Sequence, residues 1–597
     1  MKSIIASILV AVMLLTYTAC GSTKTPDDTM SATPAQVNSS EPAAAPTPEI
    51  IAEPAPNMAA AQEREAFAAL VADRKNEIQK STSNYPTDGI VYYVSNSGDD
   101  KNDGLSPETV WRTLDKVNSG AWGWEGKLNT SEFPEFLWAS EHPDEQVSLQ
   151  GGDAVLFERG GLWRGQLQTA EGVTYSAYGE GEKPCFYGSP ENGAGAEKWT
   201  LVEGTTNIWL FHQPVQQCGM IVCDNDTIAL RDYAYYEDGI YYKMASNAVL
   251  SWEELEHLPE LTPQGISENL HFFCEIPSVN NGEYCWMAGA LYLRCDEGNP
   301  GKVFSSMEFA TGNNAWNEGM ARVRNNVTLD NLSFRYGMSG IYVHDSENAV
   351  IRNCAVSYVG GMIISAGGGS DISDRPEECS LICSGDAILL GGVNNIAENN
   401  YISNTFDYGV TVEAFSGDPN SPYRSGCRVS DNLLESCGGG LLVVDWNAIN
   451  NKKDAPVFTD ITLSDNVVAY SGCNKWAHYD QRFDENWNYI GEGYGCSELA
   501  LWINPGCKDI LVENNVFGFG YENEYRIALT YVDSDLSWLT AVGNTFLADY
   551  GAKFISVNNY GSDANEDQYL RFDADMNLEK TVQEQIKDAS CKLTLIK

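Results

Sequence analysis

From Arg324 onward one short pattern keeps returning: an aliphatic residue, a variable residue, Asn or Asp, often a second Asn, then a few residues that include an apolar one. Clear copies begin at Leu329, Ile351, Ala397, Val429, Leu463 and Val512, with a weaker one at Val542. Asn331 and Asn353 are 22 residues apart, and the later spacings of 46, 32, 34 and 49 imply loops inserted into coils of similar minimum length. A repeat of this period is one supersecondary unit that buries its apolar face only by stacking on its neighbours. Several copies are followed by a second apolar run, as in Gly340-Ile-Tyr-Val-His344, Gly409-Val-Thr-Val-Glu413, Gly440-Leu-Leu-Val-Val444 and Leu499-Ala-Leu-Trp-Ile503. Two short strands per repeat with turns between them make a coil. The expected fold is therefore all-β, a right-handed parallel β-helix whose strands stack about 4.8 Å apart. The recurring Asn at Asn400, Asn432, Asn466 and Asn515 would form one column of side chains bonded to the backbone and to each other.

A further segment carries a resemblance. Tyr92 to Asp100, continuing through Asp103-Gly104-Leu105-Ser106-Pro107, resembles the opening segment of secreted bacterial members of the pectate-lyase-like β-helix superfamily, and the Asn-rich coils resemble the coils of that superfamily. The similarity covers residues 90 to 190 and 320 to 560. It implies that Trp111 to Val117 forms a helix capping the open end of the solenoid, where bare sheet edges need protection. Residues 191–320 break the repeat, and runs such as Asn207 to Phe211 and Ala290 to Arg294 read as an inserted β-rich subdomain.

The expected organisation begins with a signal over 1–20. Lys2 supplies the charge, Ile4 to Leu15 the apolar run, and Tyr17-Thr18-Ala19-Cys20 resembles a bacterial lipoprotein processing site with Cys20 as the lipidated residue. A Pro- and Ala-rich flexible linker follows over 21–60. Residues 61–190 hold an N-terminal helix, the cap and the first coils, and the Ala-rich stretch 58–80 favours the helix without disclosing its partner. The main solenoid spans 321–560, and 561–597 would cap its far end. These features place the chain outside the cell, lipid-anchored to a bacterial membrane. Fifteen cysteines remain after Cys20, so export permits disulfides but an odd count leaves one thiol over. The spacing of Cys379 and Cys383 suits a metal, but no second ligand pair stands beside it, so no metal site is expected.

The chain carries 83 acidic and 37 basic residues, a formal charge of −46, which excludes nucleic acid as a partner. The resemblance implies action on a poly- or oligosaccharide lying along an exposed sheet. The Gly-His-Gly and Arg-Ile-Lys segments of polygalacturonase-like hydrolases are missing. A uronate lyase needs a base beside the substrate carboxylate and a neutralising cation, whereas the repeat region has only His344 and His478 as histidines. Glycoside hydrolysis needs two carboxyl groups flanking the scissile bond, and candidates are plentiful. Alternation from Gly409 turns Val410 and Val412 inward and Thr411 and Glu413 to solvent; from Gly340 it turns Tyr342 and His344 outward. Asp386 opens one strand, Asp407 precedes Gly409, and Asp445 ends the next coil. The catalytic candidates are thus Asp386, Asp407, Glu413, Asp445 and His344. With Glu413 and Asp445 in one column of adjacent coils, their separation would start from about one strand spacing. Tyr342, Trp446, Trp476, Trp487 and Trp502 offer ring faces for sugars. A hydrolase stands first, a lyase second, and a non-catalytic glycan-binding or adhesion protein is the alternative from another class. No cofactor is required. Calcium is optional, with Asp99, Asp100, Asn102 and Asp103 as an oxygen-rich loop that lacks the spacing of an EF-hand.

Overall fold

The computed structural model of the protein describes residues 58–121, 141–243, 270–274, 288–311, 319–366, 381–414, 424–445, 458–472, 481–492, 499–529, 538–556, 569–571 and 588–596, apart from 84, 86, 217, 225–226, 232–233, 238–239, 344–345, 484–488, 504–506, 521–525 and 550–552. Three long sheets run the length of a parallel β-helix. We name them A, B and C by one strand of each, Val350–Arg352, Ala355–Val359 and Ile388–Leu390. The chain visits them in the order A, B, C and then A again, one coil per circuit. Every rung between Thr328–Asp330 and Cys507–Glu513 in sheet A is parallel and in register, for example Leu329 to Ile351 to Ala397 to Val429 to Leu463 to Val512. These six residues and their counterparts Phe334, Val356, Ile402, Leu434, Val468, Phe517 and Phe546 of sheet B are buried in one continuous core.

The repeat's Asn and Asp positions divide into two kinds. Asn331, Asn353, Asn399, Asp431, Asp465 and Asn514 sit at the A–B corner with φ between 53° and 59°, the left-handed conformation that these side chains tolerate better than most. The residue after each corner points inward. There Asn400, Asn432, Asn466, Asn515 and Asn544 form a buried ladder in which the Oδ1 of each of the last four accepts both the backbone N–H and the Nδ2–H of the Asn one coil earlier, at 2.9–3.1 Å, while Asn400 Oδ1 accepts from Cys354 N at 2.9 Å. Asp588 ends it, its Oδ2 accepting from Asn544 N and Nδ2 at 3.1 Å each.

The N-terminal helix, Met58–Gln79, lies lengthwise on the outer face of sheet B. It runs against the order of the coils. Arg64 pairs with Asp549, Lys75 Nζ lies 3.1 Å from Glu435, and Ser81 Oγ just beyond the helix bonds Asn331 Oδ1 at 2.9 Å. Phe67 packs edge-on to Tyr470 and Phe519 with ring centroids 5.8 and 5.5 Å away, and Val71 and Ile78 are buried on the same sheet. Phe67→Ala is expected to cost about 3 kcal/mol, the typical loss for a buried aromatic, read as a lower denaturant midpoint.

Between Cys185–Tyr187 of sheet B and Ala321–Val323 of sheet C the chain leaves the solenoid. It builds a seven-stranded, mainly antiparallel sheet with its own core around Trp199, Phe211, Ile221, Phe272, Leu293 and Phe309. A five-residue helix, Leu114–Asn118, follows Trp111 at the first coils, capped by Thr113 Oγ1, which accepts from Lys116 N. The acidic loop before it satisfies its own oxygens. Asp100 accepts from Arg112 N, Thr113 N and Thr113 Oγ1, and Asp103 from Leu105 N and Thr109 Oγ1. Among the described residues, Cys185, Cys223, Cys295, Cys354 and Cys427 are free thiols, all but Cys185 buried. Cys379 lies outside the described residues.

Candidate functional site

The described excursions at 188–320 and 360–387 both replace the turn between a B strand and a C strand, and Asp386 and Asp407 stand on that same corner in adjacent coils. In-register pairing of Ile388 with Val410 sets Asp386 beside Tyr408, whose backbone N–H donates to Asp386 Oδ1 at 3.1 Å. The two coils are stitched again by Ala387 N to Tyr408 O at 3.1 Å. Asp407 is held through its backbone, its carbonyl accepting from Thr405 Oγ1 at 2.7 Å and Gly439 N at 3.1 Å. Gly438 is required here, since any Cβ would fall against the carbonyls of Phe406 and Asp407.

Strand Tyr408–Ala414 carries Thr411 and Glu413 on the side away from the core, while Val410 and Val412 enter it. That outer side is not open to solvent. Thr411 is fully buried and Glu413 is 5% exposed, as are Leu389 and Leu442 in the neighbouring coils at 5% and 4%. Asp407 is buried and Asp386 half-buried. Burial raises the Asp386 carboxyl to about 7, although the Tyr408 N–H favours its charged form. Asp407 is pushed well above the usual carboxylate range, by burial first and then by the charges of Asp386 and Glu413. Asp407 therefore feels both of the others. Its Oδ1 and the Thr411 hydroxyl are buried without a hydrogen-bond partner.

Asp407 is thus linked electrostatically to Asp386 in the preceding coil and to Glu413 on the strand that follows it. The structure does not align Glu413 with Asp445: the register pairs Glu413 with Val444 and Ala414 with Asp445. Because strand side chains alternate, an offset of one residue moves Asp445 out of the Glu413 column. Trp502 also departs from expectation. It follows Leu442 in the outer row of sheet C but is 4% exposed, tilted against Tyr408 at 6.3 Å between ring centroids, so its faces serve packing. Tyr342, two coils before Thr411 in that row, is half-buried beside Arg322 and Leu389. His344, Trp446, Trp476 and Trp487 lie outside the described residues, as does the side chain of Asp445. Among the described residues, no group of three or more His, Cys, Asp or Glu has the geometry to hold a metal ion.

Sequence reasoning missed the orphaned Thr411 hydroxyl and the electrostatic linkage of the trio. The signal for the latter was that Asp386 and Asp407 each stand just before a C strand. A polar groove of about 460 Å³ lies elsewhere, under the last turns of the N-terminal helix at the A–B corner, with Arg74, Arg352, Glu398 and Asp431 among its walls.

Two carboxyl groups that keep protons in the fold and release them when unfolded give a signed prediction. Their folded pKa is raised, so the stability they contribute is complete below about pH 4, the unfolded value, and is lost as pH rises through about 7 for Asp386. The melting temperature is expected to fall between pH 5 and pH 8, by the equivalent of roughly 2–4 kcal/mol. Calorimetry of Asp386→Asn/Asp407→Asn is expected to show a flatter dependence over that interval.

Residues 316–475 match the family model described as right handed beta helix region. No curated protein matches the chain. Solved structures similar to it include the complex structure of XylC with xylose, at 12% identity over 78% of this chain and 69% of that one with a TM-score of 0.38. A glycoside hydrolase matches at 10% identity over 78% and 94%, TM-score 0.35. The GH136 lacto-N-biosidase from Eubacterium ramulus matches at 12% over 83% and 60%, TM-score 0.32. The three stacked sheets, their shared register and the matched segment make this chain a right-handed parallel β-helix protein.

Proposed function

We propose that the protein is a carbohydrate-active enzyme, a glycoside hydrolase working on a poly- or oligosaccharide at the B–C corner. The observation that carries this is the linked trio of Asp386, Asp407 and Glu413, in which burial keeps protons on carboxyl groups near neutral pH. Hydrolysis of a glycosidic bond uses one carboxylic acid to protonate the leaving oxygen and one carboxylate to attack the anomeric carbon or activate water. Asp386 fits the acid. It is the least buried of the three and holds its proton to about pH 7, close to the value that suits a general acid under neutral conditions. Glu413, one of the two carboxyl groups that raise Asp407, takes the counterpart role of attacking the anomeric carbon or activating water. Asp407, linked to both, keeps the trio from carrying three charges at once. The leader, Cys20 and the 21–60 tether support a place outside the cell on a lipid anchor.

The test is product analysis. The chain from residue 58 onward is incubated with neutral and acidic glycans in ¹⁸O-labelled water, with and without EDTA, and the products are weighed by mass spectrometry. One labelled oxygen per cleaved bond supports hydrolysis. Unsaturated uronate ends without label would replace it with a lyase, and retained binding without products would favour an adhesin.

A further inference from the structure

The subdomain inserted over 188–320 touches the solenoid backbone to backbone, and it does so at the carboxyl-bearing corner. Gly219, just before strand Met220–Cys223, has no room for a side chain. A Cβ there would press on the carbonyl of Gly360 and come within 2.9 Å of Gly361 Cα; one on Gly361 would come within 2.6 Å of Gly219 Cα. Gly360 in turn lies against Gly385, the residue before Asp386, and against Phe406, the residue before Asp407: a Cβ on Gly360 would meet Gly385 O at 2.9 Å and Phe406 Cβ at 2.5 Å. Gly360, Gly361 and Gly385 adopt φ of 108°, 89° and 147° and need glycine for conformation as well as space. Gly219 has no such φ, so its demand is for space alone.

The subdomain is anchored firmly enough to transmit that contact. Gly219 N donates to Ala310 O at 2.8 Å on strand Met307–Ala310. On the same strand Glu308, 3% exposed, receives both Arg164 Nη1 and Nη2, at 2.8 and 2.9 Å, from the first B strand. The chain then re-enters the corner, where Thr311 O accepts from Met338 N at 3.2 Å. Met338 O would in turn lie 2.6 Å from a Cβ on Gly385. Interiors packed at this density shift as units when an atom is added.

We propose that the inserted subdomain belongs to the catalytic machinery, with Gly219 as a positioning residue that fixes Asp386 and Asp407 through Gly360 and Gly385. This rests on the hydrolase reading of the trio. Catalytic groups misplaced by about 1 Å lose about 10²-fold in rate. Gly219→Ala is therefore expected to lower kcat about 10- to 100-fold with KM held within about twofold, and to move the pH limb set by the acid. Gly151→Ala, where the nearest atom would be 3.8 Å away, is the control that keeps wild-type kinetics. Glu308→Gln weakens the Arg164 tie without adding an atom to the seam. It is expected to act in the same direction with smaller size, and it decides the matter if Gly219→Ala fails to fold. The midpoint of the melting-temperature change between pH 5 and pH 8 is followed in parallel, because it reports the carboxyl environment without any substrate. A wild-type protein that hydrolyses no glycan would remove the hydrolase reading, while a shifted midpoint in Gly219→Ala would still support the positioning contact. Folded variants with wild-type kcat, pH profile and melting midpoint would overturn the proposal.

Discussion

Asp386→Asn is expected to lower kcat by about 10²–10⁴, the usual contribution of a positioned general acid, while the fold stays intact. The substituted side chain keeps an oxygen to accept the Tyr408 N–H that bonds Asp386 Oδ1 at 3.1 Å, so the corner loses a proton donor and little else. The deficit should depend on the leaving group. A natural alcohol leaving group needs the proton, whereas an activated aryl leaving group departs with little help. The loss is thus expected to shrink strongly on aryl glycosides for Asp386→Asn and to persist for Glu413→Gln. Equal losses on both substrate types would assign the acid to another residue. At pH 8 Asp386→Asn is also expected to melt above the parent, because it removes a carboxyl that burial disfavours in its charged form.

Asn466→Ala is expected to destabilise the protein by about 4 kcal/mol or more. Asn466 Oδ1 accepts from Asn432 N and Nδ2 at 3.1 and 3.0 Å, its N and Nδ2 donate to Asn515 Oδ1 at 3.0 and 2.9 Å, and Nδ2 also donates to Val429 O at 2.9 Å. Alanine retains only the backbone N–H among these groups. It leaves Asn432 N and one N–H of Asn432 Nδ2 without their acceptor in a dry core, each at a cost of about 1–3 kcal/mol, and removes the side-chain donor from Val429 O; the other N–H of Asn432 Nδ2 stays on Ala397 O at 2.9 Å. Denaturant unfolding provides the check, with Asn514→Gly as the comparison. Asn514 occupies the left-handed corner at φ 54°, a conformation glycine adopts freely, so that substitution is expected to be nearly neutral. If the two cost the same, the ladder is not what holds these coils in register.

Much of the solenoid was legible because its physics is local and repeated. A left-handed corner selects Asn or Asp, the inward position after it selects a second Asn, and a period of two turns Val410 and Val412 inward from Gly409. The same rule says which side of the sheet Thr411, Glu413 and Trp502 take, but not what covers that side. Exposure depends on segments far away in sequence, so Trp502 read as an open ring and proved to be packing. Register was the other limit. Apolar runs align Gly409 to Glu413 with Gly440 to Val444 only to within a residue, and one residue separates Asp445 from the Glu413 column. The partner of the N-terminal helix was illegible for a third reason. Its buried residues Phe67, Val71 and Ile78 follow helical spacing, yet nothing in that spacing names sheet B. Asp588 was hidden in the same way, since a ladder's last acceptor is recognised by place and not by motif.

The reversed course of that helix carries a kinetic consequence. Apart from the coil interrupted by the inserted subdomain, whose strands pair Thr174 with Thr328 and Cys185 with Ser333, each coil closes contacts between residues a few tens of positions apart, so the solenoid can zip by adding neighbours. The pairing of Arg64 with Asp549 spans 485 positions and has no surface to meet until the last rungs of sheet B exist. Loop-closure entropy rises slowly with length, but contacts of such separation form late. The helix is therefore the fold's closing clasp. Until it docks, Tyr401, Leu433, Val467 and Leu547 form a greasy stripe along a finished solenoid, and a chain caught at that stage is the one most prone to stick to its own kind.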